Sequence, residues 1–265
     1  MRLLICGGRD FHDAEYAFPR FDRVHQKTPV SRLICGMADG GDKLGYNWAK
    51  TRNIPIDEYW PDWKGLGRAA GPIRNEEMLK DGKPELVLGL PGGNGTAHMC
   101  RISRGAGVPV LQYERQYFSR ARDLDWGWAS NFHVHTQVDE NGIGYRTNEH
   151  WYQAEKAIDK ASRLYIVEAP DARTAKQRGQ EIEVREDWDK GFKPYKIEAM
   201  MRGLRMKFLP RTALADKLIH TGDLYLVEYA PWGDQFWGVD KTYKGENWLG
   251  RLLMRRRDEL LAEGA

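Results

Sequence analysis

The sequence predicts two domains: an α/β, Rossmann-like doubly wound parallel sheet in the first half, then a mainly helical domain with a small β element. Three observations lead to this fold class. The 265 residues are enough for two domains. In the first half, short apolar runs alternate with helical stretches, the rhythm of parallel strands joined by crossover helices. After about residue 113 that rhythm stops.

Each predicted strand of the first half is a short, largely apolar run, as expected for a strand buried on both faces. The first run, LLIC, ends in Gly7 and Gly8, and a helical stretch follows to about residue 26. The second run, RLIC, ends in the loop GMADGGD, and the next helix carries Leu44 and Trp48. The five predicted strands are residues 3–6, 32–35, 56–60, 85–90 and 108–113.

Glycine-rich loops follow the first, second and fourth of these strands. In such folds the carboxyl ends of the strands line the binding crevice, and glycine lets backbone N–H groups approach a phosphate. Three such loops favour a nucleotide or phosphosugar crevice over three merely structural turns. Arg74 suits a phosphate or ribose contact, with a structural salt bridge as its alternative role. The predicted nucleotide-binding residues are Gly7, Gly8, Arg9, Gly40, Gly41, Asp42, Arg74, Asn75, Gly92, Gly93, Gly95 and Thr96.

Four ordered motifs within about residues 1–115 resemble the YspA-like branch of the SLOG superfamily. They are GGRDF at 7–11, GMADGGD at 36–42, AGPIRN at 70–75 and PGGNGT at 91–96. The resemblance implies a nucleotide-related ligand. Phosphoribohydrolases of this superfamily carry a glutamate three residues after the threonine of PGGxGT, where this chain has Met99. We therefore expect the crevice to bind NAD, ADP-ribose or a related nucleotide without hydrolysing it.

The two predicted domains meet near Arg120. Residues 114–125 are charged and polar but contain neither Pro nor Gly, which predicts a short helix rather than a loose linker. We assign residues 1–118 to a SLOG-like nucleotide-binding domain and residues 122–265 to the second domain. Within the latter, the polar segment around residues 140–142 predicts a hairpin, and a long helix is predicted from about Tyr195 to Phe208.

The segment TNEHWYQAEK, from Thr147, predicts a helix with an unusual face. Either Thr147 or Asn148 can cap it, and no Pro or Gly interrupts the next two turns. A core-facing stripe would carry Leu, Ile or Ala. This face instead mixes an acid, an amine and hydrogen-bonding groups, so it is either a solvated Glu–Lys row or a reactive surface. At helical spacing its members are Glu149, Tyr152, Gln153 and Lys156.

The motifs SNF, NEHWYQAEK, DWD, FWG and NWLGRLLM, in this order over about residues 128–261, resemble the NADAR family. Known members are N-glycosidases that remove ribose-phosphate from riboflavin-pathway intermediates or ADP-ribose from modified guanine. The resemblance implies catalytic roles for Glu149, Lys156 and Asp234. Trp188 and Trp237 either stack on the base or are plain core. The residues predicted to bind substrate are Asn131, Phe132, Tyr152, Trp188, Trp237, Gly238, Asn247 and Arg251.

The residue types allow two chemical routes. Cleavage of an N-glycosidic bond develops positive charge on C1 of the sugar, which a carboxylate such as Glu149 stabilises. Alternatively, a desolvated Lys156 attacks C1 of the opened sugar and forms a Schiff base. A binding or sensing protein for ADP-ribose or NAD-derived signals is the rival function. The trio of Glu149, Lys156 and Asp234 favours the enzyme, because a pure binder has no need of it.

Composition and net charge limit the kinds of molecule that the protein is expected to bind. A hydrophobic fraction of 41% is enough for packed cores, so the chain is neither disordered nor fibrous. The net charge of +3 does not argue for nucleic acid, and the basic run at 255–257 is typical of a solvated helix face. We therefore expect a nucleotide or ADP-ribosylated substrate, with nucleic acid only as the carrier of a modified base. A homo-oligomer is compatible with the sequence.

The remaining features predict a cytoplasmic protein with no membrane partner. The N-terminal apolar run is too short for a signal peptide, and no run could span a bilayer. Cys6, Cys35 and Cys100 show no CxxC spacing and are predicted to be buried, reduced thiols. His133 and His135 would share a strand face, but no third ligand accompanies them. We predict no metal site and no required cofactor.

Overall fold

The computed structural model describes residues 1–120, 123–191 and 194–264. Contacts within the chain divide it into two compact units, Met1–Arg115 and a second unit that begins at Gln116. The predicted start of the second domain, residue 122, lies outside the described residues. The assigned bounds of 1–118 and 122–265 therefore stay a prediction.

The first unit is built on a five-stranded, all-parallel sheet with strand order β3-β2-β1-β4-β5. Helices connect the strands, so the predicted α/β, Rossmann-like class is confirmed. The strands are β1 Arg2–Cys6, β2 Arg32–Cys35, β3 Ile56–Glu58, β4 Leu86–Gly89 and β5 Val110–Gln112. The helices are α1 Ala14–Lys27, α2 Gly41–Thr51, α3 Trp63–Leu66, α4 Ala70–Lys80 and α5 Asn94–Gly105.

Burial explains why β1 lies at the centre of this sheet. Its residues Leu3, Leu4 and Ile5 are fully buried and pair in parallel with β2 on one side and β4 on the other. The edge strands β3 and β5 carry only partly buried or exposed residues and are shorter than predicted. Because β1, β2 and β4 are adjacent and parallel, their glycine loops emerge at one edge of the sheet.

The second unit is mainly helical, with two small two-stranded sheets, β6 with β9 and β7 with β8. The predicted hairpin at residues 140–142 joins β7 to β8. None of the described helices combines the length and apolar composition needed to cross a bilayer. The strands are β6 Arg115–Phe118, β7 Val134–Val138, β8 Gly144–Thr147 and β9 Tyr225–Glu228. The helices are α6 Asn148–Ala154, α7 Lys160–Val167, α8 Ala172–Glu181, α9 Tyr195–Lys207, α10 Ala213–His220 and α11 Trp248–Ala262.

The prediction of a helix over residues 114–125 is wrong where β6 stands. Phe118 is buried, and its carbonyl accepts a hydrogen bond from the backbone N–H of Tyr229 at 2.7 Å. Tyr117 packs edge-on against Tyr243, with ring centroids 5.5 Å apart. These distant contacts outweigh the local composition, which is why no local signal predicted a strand. The cysteines Cys6, Cys35 and Cys100 are free and buried, as predicted.

Candidate active site

Helix α6 is buried on every side. Thr147 caps it, accepting a hydrogen bond from the backbone N–H of His150, and all seven helical residues are buried. A helix buried all round belongs to the interior rather than to the surface. Glu149, only 5% exposed, is therefore not part of a solvated Glu–Lys row. That alternative interpretation is excluded for this residue.

The Glu149 carboxyl group is held in a largely desolvated position. The side-chain amide of Gln153 donates to Glu149 Oε1 at 2.6 Å. Burial raises the pKa of Glu149 above its ordinary value, and the Asp234 carboxylate raises it further. The Gln153 hydrogen bond, Lys176 and Lys156 act in the opposite direction on this pKa. Within the described part of the chain, the Glu149 carboxyl group thus lies near two positive charges but forms no ion pair with either.

Lys156 lies two residues beyond the end of α6, which stops at Ala154. The helix is therefore two residues shorter at this end than the segment that predicted it. Its amine donates a weak hydrogen bond to the carbonyl of Gly179 at 3.4 Å. The amine lies 6.0 Å from the ring centre of Tyr152 and 5.8 Å from that of Trp188. Burial lowers the pKa of Lys156, although Glu149 works against this shift. The structure brings Lys156 into the same site as Glu149.

Three aromatic rings cluster beside this acid and amine. The Tyr152 ring centroid lies 5.0 Å from that of Trp188 and 5.3 Å from that of Trp237. Burial raises the pKa of Tyr152, so its hydroxyl stays protonated at neutral pH. Trp188 is only 5% exposed, which favours its structural role, whereas Trp237 is partly exposed. Trp237 therefore offers the more accessible face to a planar ligand.

Asp234 shapes the turn that carries Trp237. Its Oδ1 accepts hydrogen bonds from the backbone N–H groups of Phe236, at 3.1 Å, and of Trp237, at 2.9 Å. Its charge also raises the pKa values of Glu149 and Glu228. Asp234 thus acts on both glutamates through its charge and holds the turn that carries Trp237, while its catalytic role stays a prediction.

Glu228 is a carboxyl group of the site that the sequence analysis missed. It ends β9, directly after three buried residues, 225–227. Burial, with the charges of Asp234 and Glu149, raises the pKa of Glu228 to about 8, while Lys176 opposes the shift. An acid that closes a buried apolar strand shortly before the FWG motif is a signal that could have identified it. Lys176, in α8, was also missed, because it lies far away in sequence.

Asn131 and Phe132, predicted to shape the pocket, lie on the loop before β7. The Asn131 side-chain oxygen accepts from the amide of Asn148 at 2.9 Å, and its backbone carbonyl accepts from the N–H of Glu149 at 3.1 Å. Phe132 is partly exposed, and its backbone N–H donates to Ser130 Oγ at 3.2 Å. The loop therefore anchors the first turn of α6 and with it the position of Glu149.

Gly238 and Asn247 support β9. Asn247 accepts a hydrogen bond from the N–H of Glu228 at 3.0 Å and donates to the carbonyl of Leu226 at 2.9 Å. A Cβ at Gly238 would run into the carbonyl oxygen of Glu228. Both residues fix the backbone of Glu228. Arg251 lies over the Trp248 ring, 4.3 Å from its centroid. A direct substrate contact by any of these three residues stays a prediction.

In the first unit, a cavity of about 670 Å³ opens at the glycine-loop edge of the sheet. Gly93 and Gly95 have no atom near the place where a Cβ would be, so their backbones face open space. Gly40, Gly41 and Gly92 are not among its lining residues; a Cβ at Gly41 would collide with Gly7. The predicted residues that line the cavity are Gly7, Gly8, Arg9, Asp42, Arg74, Asn75, Gly93, Gly95 and Thr96.

The charged groups at the base of this cavity are largely engaged with each other. Arg74 donates to the carbonyl of Gly36 and to the Asp42 carboxylate, at 3.3 Å, where both side chains are almost buried. Burial raises the pKa of Asp42, and the Arg74 charge opposes that shift. Arg74 thus makes the structural salt bridge that the sequence left as its alternative role, and its contact with a phosphate or ribose stays a prediction. Asn75 donates to the carbonyl of Gly95 at 3.2 Å.

The rim of the cavity holds groups that the sequence analysis did not single out. Trp63 is 48% exposed, and the guanidinium of Arg9 lies 5.2 Å from its ring centroid. Arg68 and His98 also line the cavity. Met99, which stands where related hydrolases carry an acid, is fully buried in the core. The rim offers an aromatic surface and cations, and the carboxylate of Asp10, which pairs with Arg115 at 2.8 Å, lines the cavity as well.

Comparison with known proteins agrees with the division of the chain into two units. Residues 117–261 match the family described as "NADAR domain", and residues 1–65 match the "YspA, cpYpsA-related SLOG family". The chloroplastic riboflavin biosynthesis protein PYRR of Zea mays is 34% identical over 169 residues, which are 57% of this chain and 26% of that protein. The N-glycosidase YbiA of Escherichia coli is 33% identical over 141 residues, 52% of this chain and 84% of YbiA.

Two further matches agree with the second unit. A riboflavin biosynthesis protein of Vibrio vulnificus is 35% identical over 140 residues, 52% of this chain and 36% of that protein. The chain thus spans between a quarter and about a third of both riboflavin biosynthesis proteins. The solution structure of Escherichia coli YbiA superposes with a TM-score of 0.51 at 31% identity, covering 58% of this chain and 89% of YbiA. The chain therefore belongs to the NADAR family and carries a SLOG-family segment at its N-terminal end.

Proposed function

We propose that the second unit is an N-glycosidase, a hydrolase that cleaves the bond between ribose C1 and a base nitrogen. The observation that carries this proposal is the pairing of a buried acid with a partly buried amine on α6 and just beyond it. Burial raises the pKa of Glu149 and lowers that of Lys156. Perturbed acids and bases of this kind cluster at reaction centres. Relatives named N-glycosidases support the same reaction class.

The Glu149 carboxylate stabilises the positive charge that develops on C1 as the base departs. The lowered pKa of Lys156 is the condition that a Schiff-base route requires, since only a neutral amine attacks C1 of the opened sugar. Direct displacement by water needs no such amine. Reduction with borohydride during turnover distinguishes the routes, because it traps a covalent adduct on Lys156 only in the first.

For the substrate we propose an ADP-ribosylated base, such as ADP-ribosyl-guanine, or a ribosylated nucleotide intermediate. The partly exposed ring of Trp237, beside Tyr152, supports a planar leaving group. The first unit would bind an NAD-derived or related nucleotide without cleaving it. Met99, buried where related hydrolases carry their acid, supports this division. No cofactor is part of the proposal.

The test is incubation of the full chain, in parallel, with DNA that contains ADP-ribosylated guanine, with a ribosylamino-pyrimidine phosphate and with NAD. Mass spectrometry of the products identifies a released base. Release from one of the three supports the enzyme and names its substrate class. Binding without release from any of them would replace the enzyme by the rival function, a sensor of ADP-ribose or NAD-derived signals.

A further inference from the structure

Trp63, on the rim of the first-unit cavity, keeps a large exposed surface. Its ring lines the cavity, and 48% of the residue is accessible to solvent. Leaving so much of an indole ring in water forgoes the free energy of burying it. An exposed aromatic ring that borders a cavity is therefore a contact for a flat ligand. The neighbouring Trp60 is also exposed, but it does not line the cavity.

The Trp63 ring is held in a defined place. Trp63 is the first residue of α3, which Asp62 caps by accepting a hydrogen bond from the N–H of Gly65 at 2.9 Å. The edge of the ring lies against the first turn of α4, because a Cβ built on Gly71 would stand 3.5 Å from Cη2 of Trp63, an ordinary van der Waals contact. Gly71 lines the same cavity. A ring supported in this way provides a stacking surface.

Arg9 reaches the Trp63 ring from a well-anchored part of the glycine-loop edge. The N–H of Gly8 donates to the carbonyl of Pro91, and the N–H of Gly41 donates to the carbonyl of Gly8, each at 3.0 Å. The two neighbouring glycine loops therefore hold the backbone directly before Arg9. The Arg9 guanidinium lies 5.2 Å from the centroid of the Trp63 ring. Arg9 thus brings a positive charge beside the aromatic surface.

The charge that remains uncompensated in this cavity is positive. The two carboxylates that line it, Asp10 and Asp42, each form an ion pair with an arginine. Arg9 and Arg68 also line the cavity, and neither forms an ion pair within the described part of the chain. Unpaired guanidinium groups attract phosphate. An aromatic surface beside such cations matches a ligand that combines a flat base with a phosphate.

We propose that the first-unit cavity selects a nucleotide by its aromatic base, which stacks on Trp63, so that a phosphosugar without a base is a poor ligand. The inference rests on the proposed nucleotide binding by the first unit. The phosphate meets the open backbone of Gly93 and Gly95, and Arg9 and Arg68 offset its charge. The cavity volume of about 670 Å³ falls within the range of small-molecule sites, about 300–1,000 Å³.

The experiment is calorimetry on the full chain with AMP and with ribose 5-phosphate, for wild type, Trp63→Leu and the control Trp60→Leu. Binding that Gly93→Val lacks is assigned to the first unit. Stacking of a base on an aromatic side chain contributes a factor of about ten or more to affinity. We therefore expect wild type to bind AMP at least about tenfold more tightly than ribose 5-phosphate. Trp63→Leu should lose this preference, and Trp60→Leu should keep it.

The outcomes separate this inference from the proposed function. Equal affinity of wild type for the two ligands, or an unchanged preference for AMP in Trp63→Leu, would overturn the role of Trp63 alone. If Gly93→Val abolishes no binding of either ligand, the proposed nucleotide binding by the first unit is itself wrong.

A second measurement carries the test if Trp63→Leu does not fold, as judged by circular dichroism. Light-activated 8-azido-AMP, whose reactive group is on the base, should label the peptide that contains Trp63 in the wild-type chain. Mass spectrometry locates the label. Labelling confined to other peptides would contradict the proposal.

Discussion

In the first unit the buried acid Asp42 lies 3.3 Å from the Arg74 guanidinium, whereas neither Glu149 nor Glu228 in the second unit forms an ion pair among the described residues. In the first unit, the charges of Asp42 and Arg74 already compensate each other without a ligand, as expected for a preformed binding crevice. In the second unit, burial raises the pKa values of both Glu149 and Glu228, and acids perturbed in this way serve proton transfer and charge stabilisation. The contrast supports our proposal that the first unit binds a nucleotide and that the second unit carries the chemistry.

The largest expected effect comes from Glu149→Gln, which tests the chemical side of the comparison. The change keeps the size of the side chain but removes its charge. We expect turnover to fall by about 10²-fold or more, because the developing cation loses its carboxylate. Affinity for ADP-ribose, measured by calorimetry, should change little. A variant that turns over at the wild-type rate would break the comparison, since the second unit would then be a binding module.

Gly93→Val tests the binding side. A side chain at Gly93 meets no protein atom, so the fold should tolerate it, yet the bulk would fill the space where a phosphate approaches the backbone. Nucleotide binding by the first unit should be lost, and base release by the second should survive. Gly105→Val is the matched control, because Gly105 is equally open, lies at the other end of α5 and does not line the cavity. Loss of both activities in a folded Gly93→Val protein would show one shared site.

Arg74→Met and Arg9→Met distinguish a structural arginine of the crevice from a ligand-binding one. Removing Arg74 leaves Asp42 buried without its partner, and we expect a loss of about 3 kcal/mol in the free energy of unfolding of the first unit. Arg9 is exposed over Trp63, so its removal should leave stability unchanged and weaken nucleotide binding by about tenfold. Urea unfolding and calorimetry measure the two effects. The reverse pattern would make Arg74 the ligand contact.

The fold of the first unit could be predicted because local pattern and tertiary environment agree there. Apolar runs such as Leu3–Leu4–Ile5 suit only a doubly covered strand, and the glycine loops mark where each strand ends. The strand β6 could not be predicted, since its pairing with β9 depends on a segment more than a hundred residues away. The charged and polar composition of residues 114–125 indicated a helix instead. Distant pairing is invisible to any pattern that is read within a short window.

The candidate site was predictable only in part for the same reason. Glu149 and Lys156 share one short motif, so their proximity follows from helical spacing even though α6 ends before Lys156. Glu228 lies on a different element, and its significance arises from burial and from the charges of Glu149 and Asp234. Arg74 shows the opposite case. Its residue type suggested a phosphate contact, whereas its ion pair with Asp42, 32 residues away in sequence, could not be predicted from any local pattern.

The most direct test of this division is a single parallel measurement on the full chain. Wild type, Glu149→Gln and Gly93→Val are each assayed for base release by mass spectrometry and for nucleotide binding by calorimetry. The account predicts that Gly93→Val releases base without binding nucleotide in the first unit, and that Glu149→Gln binds nucleotide without releasing base. Base release by Glu149→Gln at the wild-type rate would contradict the central claim that the chemistry lies in the second unit.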